Sequence, residues 1–72
     1  ELIPLAYYRM AIIQIQQKKN KDALNTLQKM YENSSYLQDL AIYESAKLLE
    51  AIGKTEQAKK YYNIIVNKFP GS

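Results

Sequence analysis

The sequence predicts an all-α chain, four helices folded as two antiparallel hairpins. Three observations predict it. Apolar residues recur at three- and four-residue intervals, and no stretch alternates as a half-buried strand would. Short breaks containing Lys, Asn, Ser and Gly separate four segments of helical length. The chain also matches itself at an offset of 35 residues: Leu5 falls on Leu40, Ala6 on Ala41, Tyr8 on Tyr43, Ala11 on Ala46, Lys19 on Lys54 and Ala23 on Ala58. A two-helix unit with a period of about 33 to 47 residues marks a solenoid built from helical hairpins.

The first helix is expected over about Leu5–Gln17, with Pro4 in its first turn, where a missing N–H does no harm. Tyr7, Met10, Ala11 and Gln14 share one face, the expected core side. Leu5, Tyr8, Ile12 and Ile15 form a second apolar stripe, and a helix apolar on two sides needs two neighbours. Contact with a preceding helix is the expected reading of that stripe, with a homodimer seam and a ligand surface as the alternatives.

Lys18-Lys19-Asn20 is the first break, with Asn20 as the expected N-cap of a second helix, about Lys21–Glu32. Ala23, Leu24, Leu27, Met30 and Tyr31 make its core face, and Asp22 suits the positive end of the helix dipole. After Asn33-Ser34-Ser35, the pair Ser35 and Gln38 has the form of a capping box opening a third helix, about Tyr36–Ile52. Its buried side is expected to hold Ala41, Ile42, Ser45, Ala46, Leu48, Leu49 and Ile52. Gly53 then fits the left-handed position that ends a helix. Thr55 is the expected cap of a fourth helix, about Glu56–Asn67, with Ala58, Tyr61, Tyr62, Ile65 and Val66 in the core and Phe69-Pro70-Gly71 closing it.

Composition narrows the chemistry. Seventy-two residues make one small domain, which buries only roughly 60% of its unfolded surface. Such a unit stacks on neighbours, so the sequence reads as a piece of a longer solenoid; it begins at Glu1 without methionine. With no cysteine and no histidine, disulfides and thiolate or imidazole metal sites are excluded. There is no glycine-rich phosphate loop and no nucleophile elbow, and the carboxylates Asp39, Glu44, Glu50 and Glu56 read as helix-surface charge. No enzyme activity and no cofactor are expected. The net charge is +3, and the lysines at 18, 19, 21, 54, 59 and 60 lie among acidic residues with Arg9 as the lone arginine. That pattern reads as a solvated face, not a nucleic-acid surface. No run reaches the roughly 18 apolar residues of a membrane span.

The second unit, about Asp39–Gly71, resembles a tetratricopeptide repeat, with Ala46 and Leu49 in the first helix, Gly53 at the turn, then Ala58, Tyr62 and Pro70. The first unit, Pro4 to about Ser35, keeps Tyr7, Ala11, Ala23 and Leu27. It has Lys18 in place of the turn glycine, Ser35 in place of the proline, and one residue more than the usual repeat of about 34. Ser45 stands where the family pattern has a large apolar residue, and Met30 and Ile65 where it has a small one. The closing Lys68-Phe69-Pro70-Gly71-Ser72 is similar to repeats of bacterial envelope proteins, including outer-membrane assembly lipoproteins, which implies a periplasmic or envelope setting, with a cytoplasmic one as the alternative.

The resemblance implies a non-catalytic scaffold or chaperone-like module that binds a protein or peptide in a groove lined by the first helix of each repeat. Carried residue by residue, the expected partner-binding residues are Leu5, Tyr8, Ile12 and Ile15 from the first unit, and Leu40, Tyr43 and Lys47 from the second; Arg9, Glu44 and Glu50 share the surface. The matched tyrosines suit peptide anchoring, being rigid and amphipathic, and suit packing between helices equally. The alternative is a structural segment that forms homodimers or larger oligomers through the apolar stripe of the first helix.

Overall fold

The computed structural model describes the backbone of residues 2–68 and the side chains of residues 5–68. Four helices follow one another: α1 Leu2–Gln16, α2 Asn20–Glu32, α3 Gln38–Ala51 and α4 Thr55–Lys68. Among the described residues there is no strand. Successive helices pack as antiparallel neighbours, α1 on α2, α2 on α3 and α3 on α4, which makes two stacked hairpins. The expected closure at Phe69-Pro70-Gly71 lies outside the described residues.

Small residues allow the close approach inside each hairpin. Ala11 and Ala23 are fully buried in the first, and Ala46 and Ala58 in the second, at the same 35-residue offset. The two hairpins join through Ala11, Leu27, Met30 and Ala41, with Tyr7, Tyr8, Tyr31, Leu37 and Leu40 packed around them. Among the described residues, Leu27 and Met30 are the largest side chains that are fully buried. At about 25 cal/mol per Å² of apolar surface, such side chains each contribute a few kcal/mol, and they do so at the seam between repeats.

Both hairpin turns use the same backbone device. Lys18 has φ 64° and Gly53 has φ 89°. In the first turn, Lys19 N–H donates to the Gln14 carbonyl at 2.8 Å and Lys18 N–H to that of Ile15 at 3.0 Å. In the second, Lys54 N–H donates to Leu49 at 2.8 Å and Gly53 N–H to Glu50 at 3.1 Å. This is the paired-bond ending in which a left-handed residue satisfies the last carbonyls of a helix.

The tight turn corrects two expected caps. Lys19 stands just before α2, and its carbonyl takes the Ala23 N–H at 2.9 Å without a side-chain cap, so Asn20 is already helical. Lys54 does the same for Ala58 at 3.0 Å, and Thr55 is the first residue of α4. The capping box at Ser35 is corrected too. The buried Ser34 Oγ accepts the Leu37 N–H at 2.8 Å, and Gln38 Nε2 donates back to the Tyr31 carbonyl at 3.2 Å. Those bonds hold residues 35–37 in a bend, so α3 opens at Gln38 and not at Tyr36.

Two expected core residues are outside. Met10 is 46% exposed and Val66 68% exposed. Their mates one repeat away, the buried Ser45 and the half-buried Tyr31, sit where one hairpin meets the other: both line a recess shared by α2, α3 and α4. Met10 and Val66 lie on the two outer faces of the stack, where the described chain supplies no such neighbour. Thr26 is buried instead. Its hydroxyl donates to Gln14 Oε1 at 2.7 Å, and the Asp22 carbonyl lies 3.0 Å away.

Candidate functional site

The first helices of the two hairpins, α1 and α3, face each other across an open cleft of ≈ 360 Å³. Ile12, Ile15 and Gln16 line it from α1, and Glu44, Lys47, Leu48 and Ala51 from α3. Helical spacing puts them there: 12, 15 and 16 share one face of α1, and 44, 47, 48 and 51 one face of α3. Above the apolar walls sits a charged rim. Lys47 Nζ lies 3.8 Å from Glu44 Oε1. The Tyr8 hydroxyl donates to Glu44 Oε2 at 3.4 Å, bridging α1 to α3.

Three members of the second apolar stripe of α1, Tyr8, Ile12 and Ile15, therefore have α3 of the same chain opposite them, and the fourth, Leu5, does not. Tyr8, Ile12 and Ile15 are half-buried, whereas Leu5, Met10 and Ile13 are exposed.

Beyond the ridge of α3 is a second cleft of ≈ 270 Å³, lined by Asp39, Leu40, Tyr43 and Ile65. The Tyr43 ring meets that of Tyr62 edge-on, with centroids 6.4 Å apart and planes at 64°. Lys47 Nζ stands 5.2 Å from the centre of the same Tyr43 ring, within cation–π range. The Tyr62 hydroxyl donates to Glu50 Oε1 at 3.1 Å. Partial desolvation first, and then that hydrogen bond to Glu50, raise the Tyr62 phenol above its ordinary 10.0.

The residues expected to bind a partner thus fall into two groups. Ile12, Ile15 and Lys47 border one cleft, with Tyr8 beside it through Glu44. Leu40 and Tyr43 border the other. Leu5 is exposed one turn before Tyr8. The repeated tyrosines differ: Tyr8 packs against the junction core, while Tyr43 is 45% exposed. Sequence reasoning missed Gln16, Leu48 and Ala51 in the first cleft and Asp39 and Ile65 in the second. The signal for the first three was available, since each lies four residues beyond Ile12, Glu44 or Lys47. No such spacing pointed to Ile65, because it reaches its cleft from α4.

Among the described residues, no group of three or more His, Cys, Asp or Glu side chains could hold a metal ion. No helix among them is long and apolar enough to cross a membrane.

The tetratricopeptide repeat family model matches residues 5–34 and again residues 40–72. The chain belongs to the tetratricopeptide repeat family. Its two matched segments are the two hairpins, so α1 and α3 are the first helices of successive tetratricopeptide repeats, and α2 and α4 the second. Tetratricopeptide repeats are non-catalytic modules that mediate protein–protein interaction. No curated protein and no solved structure matches the chain.

Proposed function

We propose that this tetratricopeptide pair holds a peptide segment of a protein partner along α3, with Ile12, Ile15 and Lys47 on one side and Leu40 and Tyr43 on the other. The observation that carries the reading is the cleft between α1 and α3. It has apolar walls of Ile12, Ile15, Leu48 and Ala51 under a rim of Lys47 and Glu44, with Tyr8 held at its edge by Glu44. Apolar walls give a bound segment area to bury, and a few polar groups fix its direction. Tyr43 is a rigid anchor whose ring is already braced by Tyr62 and Lys47. Leu5 extends the surface along α1.

A bacterial envelope scaffold or chaperone-like part is the setting we favour, on the likeness of the closing Lys68-Phe69-Pro70-Gly71-Ser72 to envelope repeats. A homo-oligomerisation segment is the second reading. It rests on Leu5, 45% exposed, in line with the partly exposed Tyr8, Ile12 and Ile15 on α1.

Affinity capture with the native chain, Lys47→Glu and Tyr43→Ala separates the two. Both substituted positions are exposed, so the variants keep the helical circular dichroism of the native chain. The binding module loses a heterologous partner in both variants, while Lys47→Glu, outside the apolar stripe of α1, self-associates as the native chain does. Retention of every captured protein by both variants contradicts the reading.

A further inference from the structure

The 35-residue repeat relates more than the two hairpins to each other. It also relates the uncovered face of each hairpin to the covered face of the other. Inside the chain, α3 lays Leu37, Leu40 and Ala41 against Ala11, Leu27 and Met30 of the first hairpin. Ser45 joins Ala41 in the recess with Leu27 and Tyr31, and Leu48 faces Ile12 and Ile15. One repeat earlier, α1 carries the mates of these α3 residues. Leu5 stands for Leu40, Ala6 for Ala41, Met10 for Ser45 and Ile13 for Leu48, and in sequence register Leu2 stands for Leu37. Ala41, Ser45 and Leu48 are buried; Ala6, Met10 and Ile13 are all exposed.

The receiving surface repeats as well. Leu27 and Met30 are fully buried under α3, while their mates Tyr62 and Ile65 are half-exposed. Tyr8 is half-buried and its mate Tyr43 is exposed; Tyr31 is half-buried and its mate Val66 is the most exposed large apolar side chain among the described residues. Of the seven large hydrophobic residues exposed among the described residues, Leu5, Met10 and Ile13 lie on the first surface and Tyr43 and Val66 on the second. Two separate faces thus hold five of the seven exposed large hydrophobic residues among those described. Each is the counterpart of one half of an interface that the chain already makes within itself.

We infer that a second copy of this chain covers the groove between α3 and α4: the face of its α1 bearing Leu5, Ala6, Met10 and Ile13 seats on Tyr43, Tyr62, Ile65 and Val66 of the first. The internal junction is the template for the contact. Charge agrees with the fit. At the position where Glu44 faces Ile12 and Ile15, the second molecule presents Arg9, and the mates of those isoleucines are Lys47 and Glu50. Lys47 is already paired with Glu44, which leaves Glu50 to face the guanidinium. The two surfaces differ, so the contact is head-to-tail and does not close on itself; each molecule added exposes a fresh groove. This surface is distinct from the α1–α3 cleft but shares Tyr43 with the peptide surface proposed above, so a second copy and a peptide compete for that residue.

Sedimentation equilibrium on the native chain and four variants tests it. The native 72-residue chain is expected to gain average mass with concentration, past the dimer. Ala6→Glu blocks the α1 face and Val66→Glu blocks the groove, each at an exposed position, and each alone is expected to show no further growth beyond a monomer. Mixed in equal amounts, the two are expected to form a dimer and stop there, because one keeps an open groove and the other an open α1 face. Met10→Glu and Tyr43→Glu serve as the second pair, so loss of helix in one variant leaves the test intact. A native chain that stays monomeric at millimolar concentration overturns the inference and leaves the groove to the helix of another protein. Association that survives Val66→Glu alone also overturns it, since that is the behaviour of a symmetric seam along α1. So does a mixture that remains monomeric.

Discussion

Lys18 and Gly53 hold the same left-handed backbone position at the turn of their hairpins, 35 residues apart, one at φ 64° and the other at φ 89°. Each ends its helix with the same two hydrogen bonds. The geometry belongs to the turn and not to the residue, because a lysine accepts it at a cost where glycine does not. A Cβ added to Gly53 meets nothing within 4 Å, so only the backbone preference is at stake there. Lys18→Gly is expected to stabilise the protein by about 1 kcal/mol, and Gly53→Ala to destabilise it by about the same amount. For a domain of this size that is about 4–8 °C in melting temperature, in opposite directions. Shifts of the same sign would show that the two turns are not equivalent.

Ala58 tests the close approach within the second hairpin. It is 2% exposed, and its neighbour Lys59 points into solvent. Ala58→Leu is expected to overpack the α3–α4 contact and cost about 1 to 3 kcal/mol in urea denaturation. Lys59→Leu is expected to change stability by less than about 0.5 kcal/mol. Equal effects would mean that the phase of α4 is wrong.

The opening of α3 rests on Ser34. Its buried hydroxyl oxygen holds the Leu37 N–H. Ser34→Ala leaves that donor without its partner and is expected to cost about 1 kcal/mol, while Ser35→Ala, at an exposed position, costs little. The reverse order in thermal melts would restore Ser35 as the cap.

The phenol of Tyr62 supplies a pH test. Desolvation and the Glu50 carboxylate favour its neutral form in the folded chain. With the folded pKa above the ordinary 10.0, this contribution to stability is fully present below pH 10 and is lost as pH rises through the folded value. Glu50→Gln is expected to bring the Tyr62 titration back down, read by NMR from the ring signals of Tyr62. A midpoint that does not move would remove Glu50 from the account.

The fold was legible in the sequence because its signals are local and repeated. Helical spacing, breaks, and alanines at 11, 23, 46 and 58 gave four helices and the sides on which they meet. What was not legible follows from position in the stack. Met10 and Val66 have the periodicity of core residues, but periodicity states which side of a helix is apolar, not whether a neighbour lies there. Asn20, Ser35 and Thr55 are good cap residues, yet the left-handed turns at Lys18 and Gly53 and the buried Ser34 set the boundaries. The surface expected along α1 and α3 split into two clefts for a similar reason. Helical phase places Tyr8 and Tyr43 alike, whereas α3 partly covers the first, and the second has only Tyr62 and Lys47 beside it.

Ala6 and Ala41 are the same residue at the same place in successive repeats, with opposite surroundings: the first is exposed, and the second is 1% exposed between Leu27 and Met30. The most direct test of a stack of two equivalent hairpins is to compare the urea stability of Ala41→Glu and Ala6→Glu, at a concentration where the chain is monomeric. Ala41→Glu forces a charge into the junction and is expected to cost several kcal/mol, enough to unfold much of the population. Ala6→Glu is expected to leave stability within about 0.5 kcal/mol of native. Equal losses at the two positions, or a larger loss at Ala6, would contradict the stack.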